Sequence, residues 1–314
     1  MSHSISRRAA LAAGAALPLA AATTQIATPA RAESHAAAAA RDVPMPTHRV
    51  FRMGQTRVTT LLAASRVVPD PQSIFGLNVE TETFAQVSRE NFIPADRARF
   101  FFNPVLIEAG ENKILVDTGT DAAGMTAALE SAGHAPGDIT HVVITHMHPD
   151  HIGGLMTEAG EKTFPNASLH AGQVEFDYWS QNPSDAYEAN VRPLEGELNF
   201  LAEGDEVGPL TTMEAFGHTP GHLCFTLAGG ERRLLLMADL ANHYVWSVGY
   251  PDWNVSFDMD KQMATKSRRR VLTMAAESRM PVIGYHMPFP GMGFVQKRGE
   301  DGFRWVQQSY QLTM

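Results

Sequence analysis

Cysteine is nearly absent from this chain: its 314 residues include one, Cys224. A lone thiol excludes an intrachain disulfide, and Cys224 lies in the apolar run Leu223–Leu227, where packing is a more natural role than ligation or nucleophilic attack. Positive charge is also scarce, with 25 Lys and Arg against 34 Asp and Glu, a formal net charge of -9. The densest basic run, Ser267-Arg268-Arg269-Arg270, falls in an amphipathic helical pattern over roughly 258–279 and reads as a solvated helix face. That leaves no footprint for a phosphate backbone and excludes nucleic acid as a partner. Long apolar runs are lacking as well. The stretch Ala9–Ala22 is too short and too rich in alanine for a stable membrane span. No arrangement suggests a Ser-His-Asp triad, and there is no internal repeat.

The N-terminus has a different use. Ser6-Arg7-Arg8 precedes the Ala/Leu-rich stretch, and Ala30-Arg31-Ala32 ends in a small-x-small cleavage pattern. Residues 1–32 are therefore expected to be an export signal of the twin-arginine kind, although Ala10 stands where a bulky apolar residue is usual. Residues 33–48 then form a linker and 49–314 one large α/β domain, long enough for a substantial core. An exported, periplasmic or secreted protein is implied, and that export route carries proteins already folded around their metals.

What the chain does have is histidine in a tight pattern. In Thr145-His146-Met147-His148-Pro149-Asp150-His151-Ile152-Gly153-Gly154, three imidazoles and a carboxylate follow the buried-strand pattern Val142-Val143-Ile144. His146 and His148 alternate by two, so an extended backbone points both the same way. Asp150 and His151 follow where the chain turns. Nitrogen with oxygen donors and no thiolate suits zinc and similar divalent ions, and four candidate ligands in one loop exceed what one ion needs.

Further donors stand at apolar strand ends downstream. Phe216-Gly217-His218-Thr219-Pro220-Gly221-His222 is a turn, Leu234-Leu235-Leu236-Met237-Ala238-Asp239 ends on an acid, and Pro281-Val282-Ile283-Gly284-Tyr285-His286 ends on a histidine. Leu115-Val116-Asp117-Thr118-Gly119 lies upstream. Polar groups just past strand ends are what a layered α/β scaffold offers a site.

In this order, H-x-H-x-D-H, G-H-T-P-G-H, a strand-terminal Asp and a strand-terminal His, the chain over about 100–310 resembles the metallo-β-lactamase superfamily. Within it, His286-Met287-Pro288-Phe289-Pro290-Gly291 and Arg304-Trp305-Val306 look most like the methyl parathion hydrolase branch and more distantly like the N-acyl-homoserine lactonases. Asn242 stands where those lactonases commonly carry a tyrosine. The resemblance implies an αββα sandwich with two divalent ions, zinc first, with manganese, iron or cobalt as alternatives. His146, His148 and His218 would hold one ion; Asp150, His151 and His286 the other; Asp239 would bridge them. His222 and Asp117 would support the ligands. Asp150 and Asp239 would be the catalytic carboxylates. A metal-bridging hydroxide would cleave small-molecule esters, lactones or organophosphate triesters in a homodimer. A homoserine lactonase is the alternative, followed by a mononuclear iron persulfide dioxygenase or a β-lactamase. Phe100-Phe101-Phe102, Phe176, Tyr178-Trp179, Tyr244-Val245-Trp246 and Trp253 are candidate pocket walls.

Overall fold

The computed structural model describes residues 46–309 except 231, 300 and 301. The expected export signal, and all of the linker before Pro46, lie outside the described residues.

Two seven-stranded sheets form the centre. The first runs, in spatial order, His48–Met53, Thr56–Leu61, Val105–Ala109, Asn112–Val116, His141–Ile144, Ser168–Gly172 and Leu198–Leu201. The second runs Glu206–Val207, Leu210–Glu214, Leu223–Gly229, Arg232–Leu236, Pro281–Ile283, Met292–Arg298 and Gly302–Gln307. Strand residues alternate faces, and the alternation explains how the layers meet. Val58, Ile107, Ile114 and Val143 from one sheet pack against Leu223, Phe225, Leu234 and Leu236 from the other. Leu115, Val142 and Ile144 face outward, where Met125, Ala128 and Leu129 of the helix Ala122–Ser131 cover them. On the far side, Val271, Leu272 and Ala275 of the helix Lys261–Ser278 cover Leu235 and Val282. This is the αββα sandwich.

The parallel pairings matter for function. Asn112–Val116, His141–Ile144 and Ser168–Gly172 run parallel in the first sheet, and Arg232–Leu236 runs parallel to Pro281–Ile283 in the second. Their C-terminal ends open at one edge of the sandwich, the usual location for a site in a parallel α/β layer. Leu223 N donates to Thr145 O at 3.0 Å and ties the sheets together there.

Several elements escaped the sequence reading. The antiparallel pair Ala64–Pro69 and Arg97–Phe102 forms a separate two-stranded sheet, and the helix Thr81–Glu90 lies between them in sequence. Together they enclose an aromatic cluster of Phe75, Phe84, Phe100, Phe102, Trp246 and Trp253. The basic run in the last helix also departs from expectation. Arg268 is fully buried, because Asp258 supplies a counter-charge at 2.7 Å and the carbonyls of Leu240 and Pro251 accept from its Nε and Nη1.

Candidate metal centre

The loop after His141–Ile144 is shaped by its own sequence. His148 remains extended (φ -70°, ψ 154°), and Pro149 then starts the one-turn helix Pro149–Ile152 carrying Asp150 and His151. Proline fits there because the first helical residue needs no N–H partner. Gly154 closes the turn where no side chain fits: a Cβ would lie 2.1 Å from the carbonyl oxygen of Thr118.

The structure brings all seven candidate ligands together. His148 Nδ1 lies 3.2 Å from His146 Nε2 and 3.0 Å from His218 Nε2. Nearby, His286 Nε2 is 3.3 Å and His151 Nε2 is 3.7 Å from Asp150 Oδ2. Asp239 stands between these groups, with Oδ2 at 3.4 Å from His218 Nε2 and 3.1 Å from His286 Nε2, and Oδ1 at 3.3 Å from His151 Nε2. Three overlapping trios result: His146/His148/His218, His146/His151/Asp239 and Asp150/His151/His286. Within each, the donor atoms lie within 4.8 Å of one another.

Charge and protonation show what the cluster is suited to hold. Burial, reinforced by neighbouring imidazoles, takes the His146 pKa well below the usual range and lowers that of His148 to about 3. These nitrogens therefore converge as neutral lone pairs. The other side wants positive charge. Burial disfavours charging His151 and His286, yet the adjoining carboxylates outweigh it, raising His151 well above its ordinary value and His286 to about 9. Asp239 is likewise opposed by burial but held well below the carboxylate range by His286 and His151. Among the described residues, no lysine or arginine pairs with Asp150 or Asp239. His151 Nε2 and Asp239 Oδ1 are buried without a hydrogen bond. Inward-facing donor atoms left without a hydrogen bond, nitrogen and carboxylate oxygen alone, fit a pair of divalent ions.

The surrounding residues aim these groups. Asp117 contacts His151 Nδ1 at 2.8 Å and accepts from Thr145 N and Oγ1, both at 2.9 Å. His222 faces away from the trios: its Nδ1 meets Ala215 O at 3.2 Å, and its Nε2 accepts from Asp239 N at 3.1 Å. Asn242 Nδ2 donates to Asp239 Oδ2 at 2.8 Å. Asp258, which sequence reasoning missed, contacts His218 Nδ1 at 3.0 Å while gripping Arg268 with its other oxygen. The available signal was an acid just before the helix carrying the basic run.

The candidate walls divide by position. Phe100 and Phe102 each stand edge-on to His286 at 5.4 Å, and Trp179 edge-on to His148 at 6.0 Å. Trp246 and Trp253 are buried in the aromatic cluster, and Phe176 packs on Phe200. Phe257, absent from the sequence reading, is 37% exposed beside Phe100.

A two-ion hydrolytic centre on an αββα sandwich defines a class, and comparison supplies the family. The model of the metallo-beta-lactamase superfamily matches residues 99–283. The chain belongs to that superfamily and is a metal-dependent hydrolase. It is similar to AidC, a dizinc quorum-quenching lactonase solved with the product N-hexanoyl-L-homoserine, at 26% identity and TM-score 0.77, over 84% of this chain and 98% of that one. An N-acyl homoserine lactone lactonase, 17% identical with TM-score 0.57 over 78% of this chain and 100% of that one, shares the fold. The uncharacterised protein YobT of Bacillus subtilis is 25% identical over 178 residues, 50% of this chain and 74% of its own.

These matches overturn the expected place in the methyl parathion hydrolase branch: the solved neighbours are predominantly homoserine lactonases. The features behind that expectation are packing features. Gly291 turns with φ +74° and Trp305 lies in the outer core under the last helix. Nor does Asn242 speak against a lactonase, since it is buried and engaged with Asp239.

Proposed function

We propose that this protein is a zinc-dependent lactonase that opens N-acyl homoserine lactones. The observation carrying the reading is the match to AidC over 84% of this chain and 98% of that one, at an identity that reaches beyond shared fold, combined with the three donor trios. His146, His148 and His218 would hold one ion, Asp150, His151 and His286 the other, with Asp239 shared. Bound there, two divalent ions make water a nucleophile at neutral pH and polarise an ester carbonyl.

The chain's own residues do the rest. Asp117, His222, Asn242 and Asp258 fix the orientation of the ligating groups. Ring opening consumes one water, breaks the acyl carbon–oxygen bond and leaves a carboxylate and an alcohol, so the departing ring oxygen needs a proton. That proton comes from the attacking water, and Asp150, whose side chain keeps 25% of its surface exposed, and Asp239, both ionised, are the carboxylates at the site that would relay it. Phe257, exposed at the rim and backed by buried Phe100, offers an apolar surface for the acyl chain. The twin-arginine signal over 1–32 would place this activity outside the cytoplasm.

The test pairs elemental analysis with hydrolysis of N-hexanoyl homoserine lactone, an aryl ester, an organophosphate triester and a β-lactam, with and without chelator. Two zinc ions per chain and chelator-sensitive preference for the lactone are expected. Preference for the triester or the β-lactam overturns the substrate reading; a single iron with no hydrolysis overturns the mechanism.

A further inference from the structure

Glu175 is a fully buried carboxylate outside the donor trios, in the helix Gln173–Gln181. Its position would be costly without partners, and it has four. Oε1 accepts from Met147 N at 2.8 Å and from Trp179 Nε1 at 2.8 Å. Oε2 accepts from Thr219 Oγ1 at 2.7 Å and from Gly221 N at 2.8 Å. Met147 is the residue between His146 and His148, and Thr219 follows His218. One side chain thus holds, through separate oxygens, two segments about seventy positions apart that carry one donor trio. Trp179, one helical turn on, fixes the carboxylate from its own helix.

The contact is close enough to dictate sequence. A Cβ on Gly221 would lie 2.1 Å from the backbone nitrogen of Glu175, so glycine alone lets the second segment approach the helix. By contrast, neither the segment bearing Asp150 and His151 nor that bearing His286 donates a hydrogen bond to Glu175. His286 is set by Phe101 O at 2.9 Å, and His151 by Asp117.

We propose that Glu175 is a positioning residue that sets the spacing of His146 and His148 against His218, so that binding of one of the two ions depends on it and binding of the other does not. This rests on the ligand assignment made above. Glu175→Gln makes the logic specific. The new amide nitrogen cannot face Met147 N and Trp179 Nε1, which are both donors, whereas the Thr219 hydroxyl can rotate to accept from it. The amide nitrogen therefore turns towards Thr219 and Gly221, the Gly221 N–H loses its acceptor, and the segment bearing His218 loosens.

The experiment is zinc titration of the metal-free full chain against a competing chelator, with the cobalt absorption spectrum as a second readout. In Glu175→Gln, one binding step should weaken by about 10–100-fold, the usual range for residues supporting ligands, while the other step stays put. Thr219→Val, which removes one hydrogen bond with little change of volume, should weaken the same step less and serves if Glu175→Gln does not fold. Asp177→Asn, on the exposed face of the same helix, should bind both ions. Equal weakening of both steps, the signature of a generally loosened fold, overturns the proposal, as does a Glu175→Gln protein with both steps unchanged. His286→Ala should remove the other step. If it does not, or if the unaltered chain binds fewer than two ions, the ligand assignment falls and this proposal with it.

Discussion

Asp258→Ala is the perturbation whose consequences can be worked furthest. It strips the counter-charge from Arg268, whose guanidinium is fully buried and keeps only the carbonyls of Leu240 and Pro251. Removing one member of a buried pair costs about 3–5 kcal/mol, because a charge is left uncompensated. For a domain of this size about 2 °C of melting temperature accompanies each kcal/mol, so a fall of roughly 6–10 °C is expected. The same change frees His218 Nδ1, so metal affinity should drop by about 10–100-fold. The two effects separate in the double variant Asp258→Ala with Arg268→Met, where the orphaned charge is gone. Melting temperature should largely recover, since apolar replacement of a buried pair is often neutral. Metal affinity should not recover, since His218 still lacks its partner. Thermal melting of chelated protein reads the first effect and chelator competition the second. A single variant that melts within about 2 °C of the parent, or a double variant whose losses simply add, would refute this account.

Three further outcomes follow from the geometry. Chelation should lower the melting temperature by scanning calorimetry, because ions that bind only the folded chain stabilise it by mass action; an unchanged temperature would mean that none is bound. The His141 and His170 rings meet at 3.2 Å away from the metal centre, and burial lowers both pKa values, His170 to about 4. The unfolded chain thus takes up protons first, so this contribution to stability is complete above the ordinary histidine pKa near 6.5 and fades as pH falls towards about 4. In melting curves of chelated protein, His170→Gln should flatten that slope, and an unchanged slope would remove the pair from the account. Phe257→Ala should raise KM more for a decanoyl than for a butanoyl homoserine lactone, since about 0.8 kcal/mol accompanies each buried methylene. Equal effects on both would place the acyl chain elsewhere.

The sandwich and its donor trios were legible because both depend on short-range regularities: alternating apolar strands, and ligands placed just beyond their ends. Asp258, Arg268 and Glu175 escaped because each derives its meaning from a partner far along the chain. A buried arginine looks like a solvated one until its acid is located, and Glu175 lies in a helix with no unusual composition. The aromatic layer around Phe84 and Trp246 escaped for a related reason. Its strand pair and helix precede the motif region, and Phe100 lies in a strand whose bulk suggested a wall before it suggested a sheet. Asn242 misled differently: it was weighed against a lactonase for not being the tyrosine common there, whereas its buried amide has a role of its own in holding Asp239.

A chain with one cysteine has no covalent cross-link of its own, yet its metal centre joins positions as distant as Asp150 and His286. With ions in place, each sheet is tethered to the other at the edge where their strand ends meet. Such a tether restricts the unfolded ensemble as a disulfide does, with an entropic advantage that grows slowly with loop length. Unlike a disulfide it is indifferent to reductant and sensitive to acid and chelators. In this protein, therefore, durability and reactivity draw on the same bonds, and whatever withdraws the ions loosens the molecule as it silences it.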